Sequence, residues 1–165
     1  MKKDIFTVVL LTIMAIIGSF LIYRFTDKKE NITKNKIEGF VYNVGYLSNV
    51  KENEIDIVIS DYNSFKSYFV TYTNYTYDGN GNIISTSCDK ILSMYNEEFF
   101  KTKSLAVKYI PLSSGSITIS SVYGIIDGEK ISFEYKKNSP DVGTMDMNGY
   151  FLIVEVSKDI KEIKK

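Results

Sequence analysis

The chain has 165 residues, 44% of them hydrophobic, with 20 basic residues balanced by 20 acidic ones. That length holds one domain of ordinary size beside an appendage but no second large core, and the zero balance argues against nucleic acid as a partner. With no histidine and a single cysteine, Cys88, the chain lacks Ser-His-Asp and Cys-His nucleophile activation, histidine-containing zinc sites, thiolate clusters and internal disulfides.

Residues 5–23, opening at Ile5 and closing at Tyr23, carry no charge and are mostly aliphatic or aromatic. At about 1.5 Å per helical residue, the run is long enough to cross a hydrocarbon core. It exceeds the apolar core of a cleaved signal peptide and no small-x-small cleavage site follows it cleanly. Residues 1–25 are therefore read as a retained signal anchor in membrane lipid, and no nearby cysteine offers a thiol for lipid attachment. The flanking charges conflict: Lys2 and Lys3 precede the run, whereas Arg24, Lys28, Lys29, Lys34 and Lys36 follow it, and a positive-inside count would leave the C-terminal part in the cytoplasm. Long domains translocate largely regardless of flanking charge, and a short basic start before an apolar run is how export signals look. The expectation is a single-pass cell-membrane protein with its C-terminal domain outside the cytoplasm. Residues 26–38 are polar with mixed charge and read as a juxtamembrane linker.

The folded domain is expected over residues 39–159. Phe40, Tyr42, Val44 and Tyr46 alternate with smaller or polar residues in a first strand, and Ile55, Ile57 and Ile59 alternate in a second. Ser60 or Asp61 can cap a helix whose stripe of Tyr62, Phe65, Tyr68 and Phe69 faces a core. Residues 69–76 are aromatic and β-branched and predict a strand, after which Asp78-Gly79-Asn80-Gly81-Asn82 reverses the chain. That spacing matches the opening of an EF-hand loop, yet Ile83 replaces the glycine and Asp89 the glutamate that calcium binding needs, so a hairpin turn accounts for it better. Cys88 reads as a small apolar residue near a helix start. Ile91, Leu92, Tyr95 and Phe99 then share a helical face, in one bent helix or in two with Asn96 as the second cap.

Residues 104–157 predict four consecutive strands. Leu105, Val107 and Tyr109 alternate up to Pro111, and Ser113-Ser114-Gly115-Ser116 turns the chain. Ile117, Ile119, Tyr123 and Ile125 are assigned to one face, and Ile131, Phe133 and Tyr135 to the facing one. A three-residue loop of Ile126, Asp127 and Gly128, with a G1 bulge, would set Tyr123 opposite Ile131 and Ile119 opposite Tyr135. Residues 150–156 are apolar on both faces, as a central strand covered on both sides would be. Residues 158–165 predict a frayed end or one helical turn, with 160–165 a charged tail. The fold class is α+β: an N-terminal transmembrane helix, then a mainly antiparallel sheet domain with two or three short helices.

Glu97-Glu98-Phe99-Phe100, Ser104-Leu105-Ala106-Val107, the Ser114-Gly115 turn, the Gly128 hairpin, Ser139-Pro140 and the strand from Tyr150 to Val156 together resemble the PrcB-type protease complex subunit domain, over residues 61–159. The resemblance implies a bacterial cell-envelope protein with a binding role, an assembly or stabilising subunit of a surface protease complex without an active site of its own. The apolar span without an adjacent cysteine departs from that family's lipid-anchored pattern. The expected partner is another envelope or surface protein, and no metal or cofactor is expected. Ser113, Ser114 and Gly115, with Met145 and Met147 in the loop of residues 141–148, are the candidate recognition residues; the methionines either cover the sheet or adapt to a partner. The alternatives are a structural or sensory envelope domain, favoured by a covered strand edge beside residues 105–110, and a carboxylate-dependent enzyme using acids such as Asp141 and Asp146.

Overall fold

The structure is a computed structural model that describes residues 36–48, 50 and 55–164. The expected membrane span and most of the linker lie outside the described residues, and no helix among those described is long and apolar enough to cross a membrane. Ile37–Lys165 forms one compact unit.

In chain order its elements are β1 (Lys36–Glu38), β2 (Phe40–Asn43), β3 (Ile57–Ile59), α1 (Tyr62–Thr71), β4 (Tyr75–Tyr77), β5 (Ile83–Thr86), α2 (Asp89–Met94), α3 (Phe99–Thr102), β6 (Lys103–Leu112), β7 (Thr118–Asp127), β8 (Lys130–Asn138), β9 (Asn148–Ser157) and β10 (Glu162–Ile163). The class is α+β with mainly antiparallel sheets and three short helices among the described residues. An inner sheet has the order β2-β9-β6-β3, an outer sheet the order β1-β7-β8-β10, and β4-β5 is a separate hairpin.

β9 is the central strand that its two-faced apolar sequence predicts. It pairs with β6 from Lys103↔Ser157 to Leu112↔Asn148, and with β2 on its other edge. Phe151 and Ile153 pack with Phe65, Phe69, Ile91 and Phe100 of the helices, whereas Tyr150, Leu152 and Val154 on the opposite side meet Ile119, Val122 and Ile131 of the outer sheet. The strand thus sits between a helical layer and a second sheet, which requires apolar residues at both parities.

α1 begins where Asp61 Oδ1 accepts the Ser64 N–H at 2.8 Å. Its stripe is core: the Phe65 ring lies 5.2 Å from those of Phe69 and Phe100 and 5.7 Å from that of Tyr95. That capping bond holds the Asp61 carboxyl below the usual carboxylate range, with Lys158 a minor contributor. A depressed folded-state pKa stabilises above the unfolded value and is lost as the pH falls through the folded one. Asp61→Ala is expected to cost about 1 kcal/mol at pH 7 and progressively less as acid protonates the cap. Urea titrations of both proteins at several pH values would check it; a gap that stays constant into strong acid would sink the assignment.

Several expectations are corrected. The helix continues through Thr71, so the strand expected over residues 69–76 contracts to β4, and Phe69 is a buried helical residue. Where one bent helix or two were open, the structure has two, and, as expected for the second cap, Asn96 Oδ1 accepts the Phe99 N–H at 3.1 Å. The β7-β8 turn is a two-residue loop of Gly128 and Glu129, closed by Asp127↔Lys130, with Gly128 at φ 61°, where primed hairpin turns need a left-handed residue. Ile126 opposes Ile131 and Val122 opposes Tyr135, while Tyr123 opposes Glu134 and Ile119 opposes Lys137. The facing error has one cause, a bulge between Ile119 and Ser121. An extra residue reverses the parity of everything beyond it, so Ile119 and Val122 both point inward and Tyr123 and Ile125 do not. Among the described residues of the C-terminal segment, 158–164, there is no helical turn: β10 pairs in parallel with β8, and Ile160 is buried.

Candidate functional site

The β6-β9 and β7-β8 registers decide where the candidate loops meet. Leu112, the last residue of β6, pairs with Asn148, the first of β9, and Thr118 at the start of β7 pairs with Asn138 at the end of β8. Both connecting loops therefore leave the sheets at the same end. There the Ser114 hydroxyl donates to the Thr144 carbonyl at 2.8 Å and lies 2.8 Å from the Ser116 hydroxyl. The Ser116 N–H donates to Thr144 Oγ1 at 3.1 Å, the Thr144 N–H to Ser116 Oγ at 3.2 Å, and the Gly115 N–H to the Asp146 carbonyl at 2.7 Å. A Cβ on Gly115 would meet only the carboxylate of the exposed Asp146 side chain, which would have to turn aside where the loops touch.

Clamping divides the predicted residues into two groups. Ser114 is buried and Gly115 half-buried, and both hold the loops together, whereas Ser113 is exposed. Met145 is fully exposed, Met147 is 52% exposed and the neighbouring Val142 83%, so the methionines do not cover the sheet. Asp141 and Asp146 are exposed. Hydrogen bonds from the Thr144 hydroxyl, and then from the main chain at Asp146 and Gly115, hold the Asp146 carboxyl below its usual range, as a fixed anionic acceptor. Among the described residues no three His, Cys, Asp or Glu side chains gather where they could hold a metal ion. Cys88 is fully buried with its thiol toward the Tyr72 carbonyl, and burial pushes the thiol up, away from the thiolate.

A second exposed apolar surface escaped the sequence reading. In the β4-β5 hairpin Tyr77, Ile83 and Ile84 are 56%, 56% and 64% exposed. Asp78 pins the turn by accepting the Asn80 and Asn82 N–H groups, each at 2.8 Å, and Gly81 takes φ 85°. The turn of residues 78–82 is legible in the sequence, but the exposure of Tyr77 and of the Ile83-Ile84 pair is not, because residue type does not say which strands lie on the core. The Asn74 side chain, just before β4, donates to the Val44 carbonyl at 2.8 Å, and the Val44 N–H donates to the Gly149 carbonyl at 2.9 Å. The hairpin base and the end of the sheet that carries the loop pair thus share the segment that follows β2.

The edge beside residues 105–107 is closed by β3, through Ile57↔Val107 and Ile59↔Leu105. Beyond it Asp56 takes over the ladder, accepting the Tyr109 N–H at 3.2 Å and lying 2.6 Å from the Lys108 ammonium.

Fold and surface define a mainly antiparallel α+β domain that displays apolar side chains on clamped loops and on a hairpin. Comparison with protein-family models, curated proteins and solved structures finds no match for the chain.

Proposed function

We propose that the protein is a noncatalytic, membrane-anchored module of the cell envelope that binds or stabilises another surface protein through the loops of residues 113–116 and 141–148. The observation that carries the reading is Met145, fully exposed beside half-exposed Met147 on a loop whose base is hydrogen-bonded to its neighbour. Apolar side chains held out into water gain by burial against a partner, and the unbranched thioether adapts to its contours. A protease complex as the partner rests on the family resemblance of the sequence alone, and the lack of histidine is consistent with a subunit that has no hydrolytic machinery.

A second reading, a structural or sensory envelope domain without a protease partner, is favoured by the closure of the Leu105 to Val107 edge by β3. Crosslinking in intact source cells, with affinity purification of the tagged full-length chain and mass spectrometry, separates the two. The expected result is a surface protein whose recovery falls about tenfold in a Met145→Asp, Met147→Asp variant. Undiminished recovery would remove the loops from the interface, and recovery of cytoplasmic proteins alone would overturn the topology.

A further inference from the structure

Met145 sits between two anchored residues. On one side the Thr144 N–H donates to Ser116 Oγ at 3.2 Å, Thr144 Oγ1 accepts the Ser116 N–H at 3.1 Å, and the Thr144 carbonyl accepts the Ser114 hydroxyl at 2.8 Å. On the other side the Asp146 carbonyl accepts the Gly115 N–H at 2.7 Å. With both neighbours tied to the facing loop, the backbone has little freedom to fold Met145 back onto the sheet, and its thioether stands fully in water while that of Met147 stands half in it. Met94 is the internal comparison: it is 40% exposed, but its sulfur accepts the Tyr42 hydroxyl, which engages a sulfur lone pair. Met1 and Met14 lie outside the described residues.

The other oxidisable sulfur of the chain is withdrawn from solvent. Cys88, the one cysteine of the sequence, is fully buried against the Tyr72 carbonyl, and burial keeps it a thiol, whereas thiol oxidation needs an accessible thiolate. Among the described residues sulfur oxidation therefore falls to the loop methionines. We propose that Met145, and Met147 more slowly, is a methionine-oxidation site for peroxides, and that its oxidation releases the partner of the loop surface. In the step a lone pair of the Met145 sulfur attacks one peroxide oxygen, and the S–O bond forms as the O–O bond breaks. The departing hydroxide takes the proton left on the transferred oxygen and leaves as water. The sulfur gives up two electrons to the peroxide and becomes a sulfoxide, so a flexible apolar side chain turns polar. Its new oxygen is a hydrogen-bond acceptor that a dry contact leaves unpaired, which costs binding. The release rests on the function proposed above; the oxidation does not.

The full-length chain in nanodiscs is treated with hydrogen peroxide, quenched with catalase at intervals and mapped by tandem mass spectrometry of its peptides. Met145 is expected to gain an oxygen atom about fivefold faster than Met94 while the near-UV circular dichroism is retained, and the two rates are expected to converge in urea, where the Tyr42 contact is gone. Equal rates at Met145 and Met94 in the native chain would overturn the site and leave the proposed function standing. The second arm repeats the capture from intact source cells with and without peroxide. Recovery of the surface protein is expected to fall about fivefold for the wild type and to hold for Met145→Leu, Met147→Leu, which keeps apolar contacts but has no sulfur to oxidise there. Equal losses from the wild type and the leucine variant would overturn the release. Undiminished recovery from the oxidised wild type would do the same if Met145→Asp, Met147→Asp loses the protein. If that aspartate variant also loses nothing, the loop surface itself fails and the release with it, so the two failures are told apart.

Discussion

Gly149→Ala is expected to lower the unfolding free energy by about 3 kcal/mol, a large effect for one added methyl group. Gly149 follows the first residue of β9, where Val44 and Tyr109 cross it. A Cβ there would meet the Tyr109 hydroxyl and, at 2.5 Å, the Gly45 carbonyl. Neither neighbour can yield cheaply: the Tyr109 hydroxyl accepts the Leu47 N–H at 2.9 Å, its ring is fully buried, and Gly45 is held at φ 74°. Gly79→Ala is the matched control, because nothing lies within 4 Å of its added carbon, and it should move stability by no more than about 0.5 kcal/mol. Urea unfolding followed by tyrosine near-UV circular dichroism reads both. In a double variant with Tyr109→Phe the two costs should fall short of additivity, since one of the three close contacts disappears with the hydroxyl while the Tyr109 ring carbon and the Gly45 carbonyl remain. Strict additivity would show that the added methyl group does not meet the Tyr109 hydroxyl.

Phe151→Ala and Leu152→Ala are each expected to destabilise strongly, by about 3–5 and 2–5 kcal/mol respectively. Consecutive residues of a strand point to opposite faces, so in a half-exposed sheet one of the two would be nearly silent. Here Phe151 lies 5.3 Å from the Phe69 ring and 5.6 Å from that of Tyr109, on the helical side, and Leu152 is fully buried with Ile119 and Val122 on the other. Denaturation of the two variants measures the coverage of each face directly. A cost below about 1 kcal/mol for Leu152→Ala would mean that the outer sheet does not cover β9.

The same contrast governs the candidate surface. Gly and Ser at residues 113–116 and a Met-containing polar stretch at 141–148 marked two loops, because those residue types suit turns and adaptable contacts. That the loops touch follows from the pairing of Leu112 with Asn148. Which side chains stay exposed follows from the hydrogen bonds that draw Ser114 inward and leave Met145 out. Neither is written in residue type.

Local chemistry was legible wherever it is local. The Asp61 cap, the aromatic stripe of α1, the Asn96 cap and the two-faced apolar run of β9 each depend on residues a few positions apart, and the structure has each of them. What only the tertiary structure decided are the features set by contact between distant segments. The bulge between Ile119 and Ser121 reverses the faces of β7, Gly39 gives the room for β1 and β2 to pair in different sheets, and Ile160 draws a charged C-terminal segment onto β8 as β10. Period-two reading assumes an unbroken ladder and sees only neighbours in sequence, whereas one extra residue, one close approach to Ile153 or one buried isoleucine far down the chain redirects a strand.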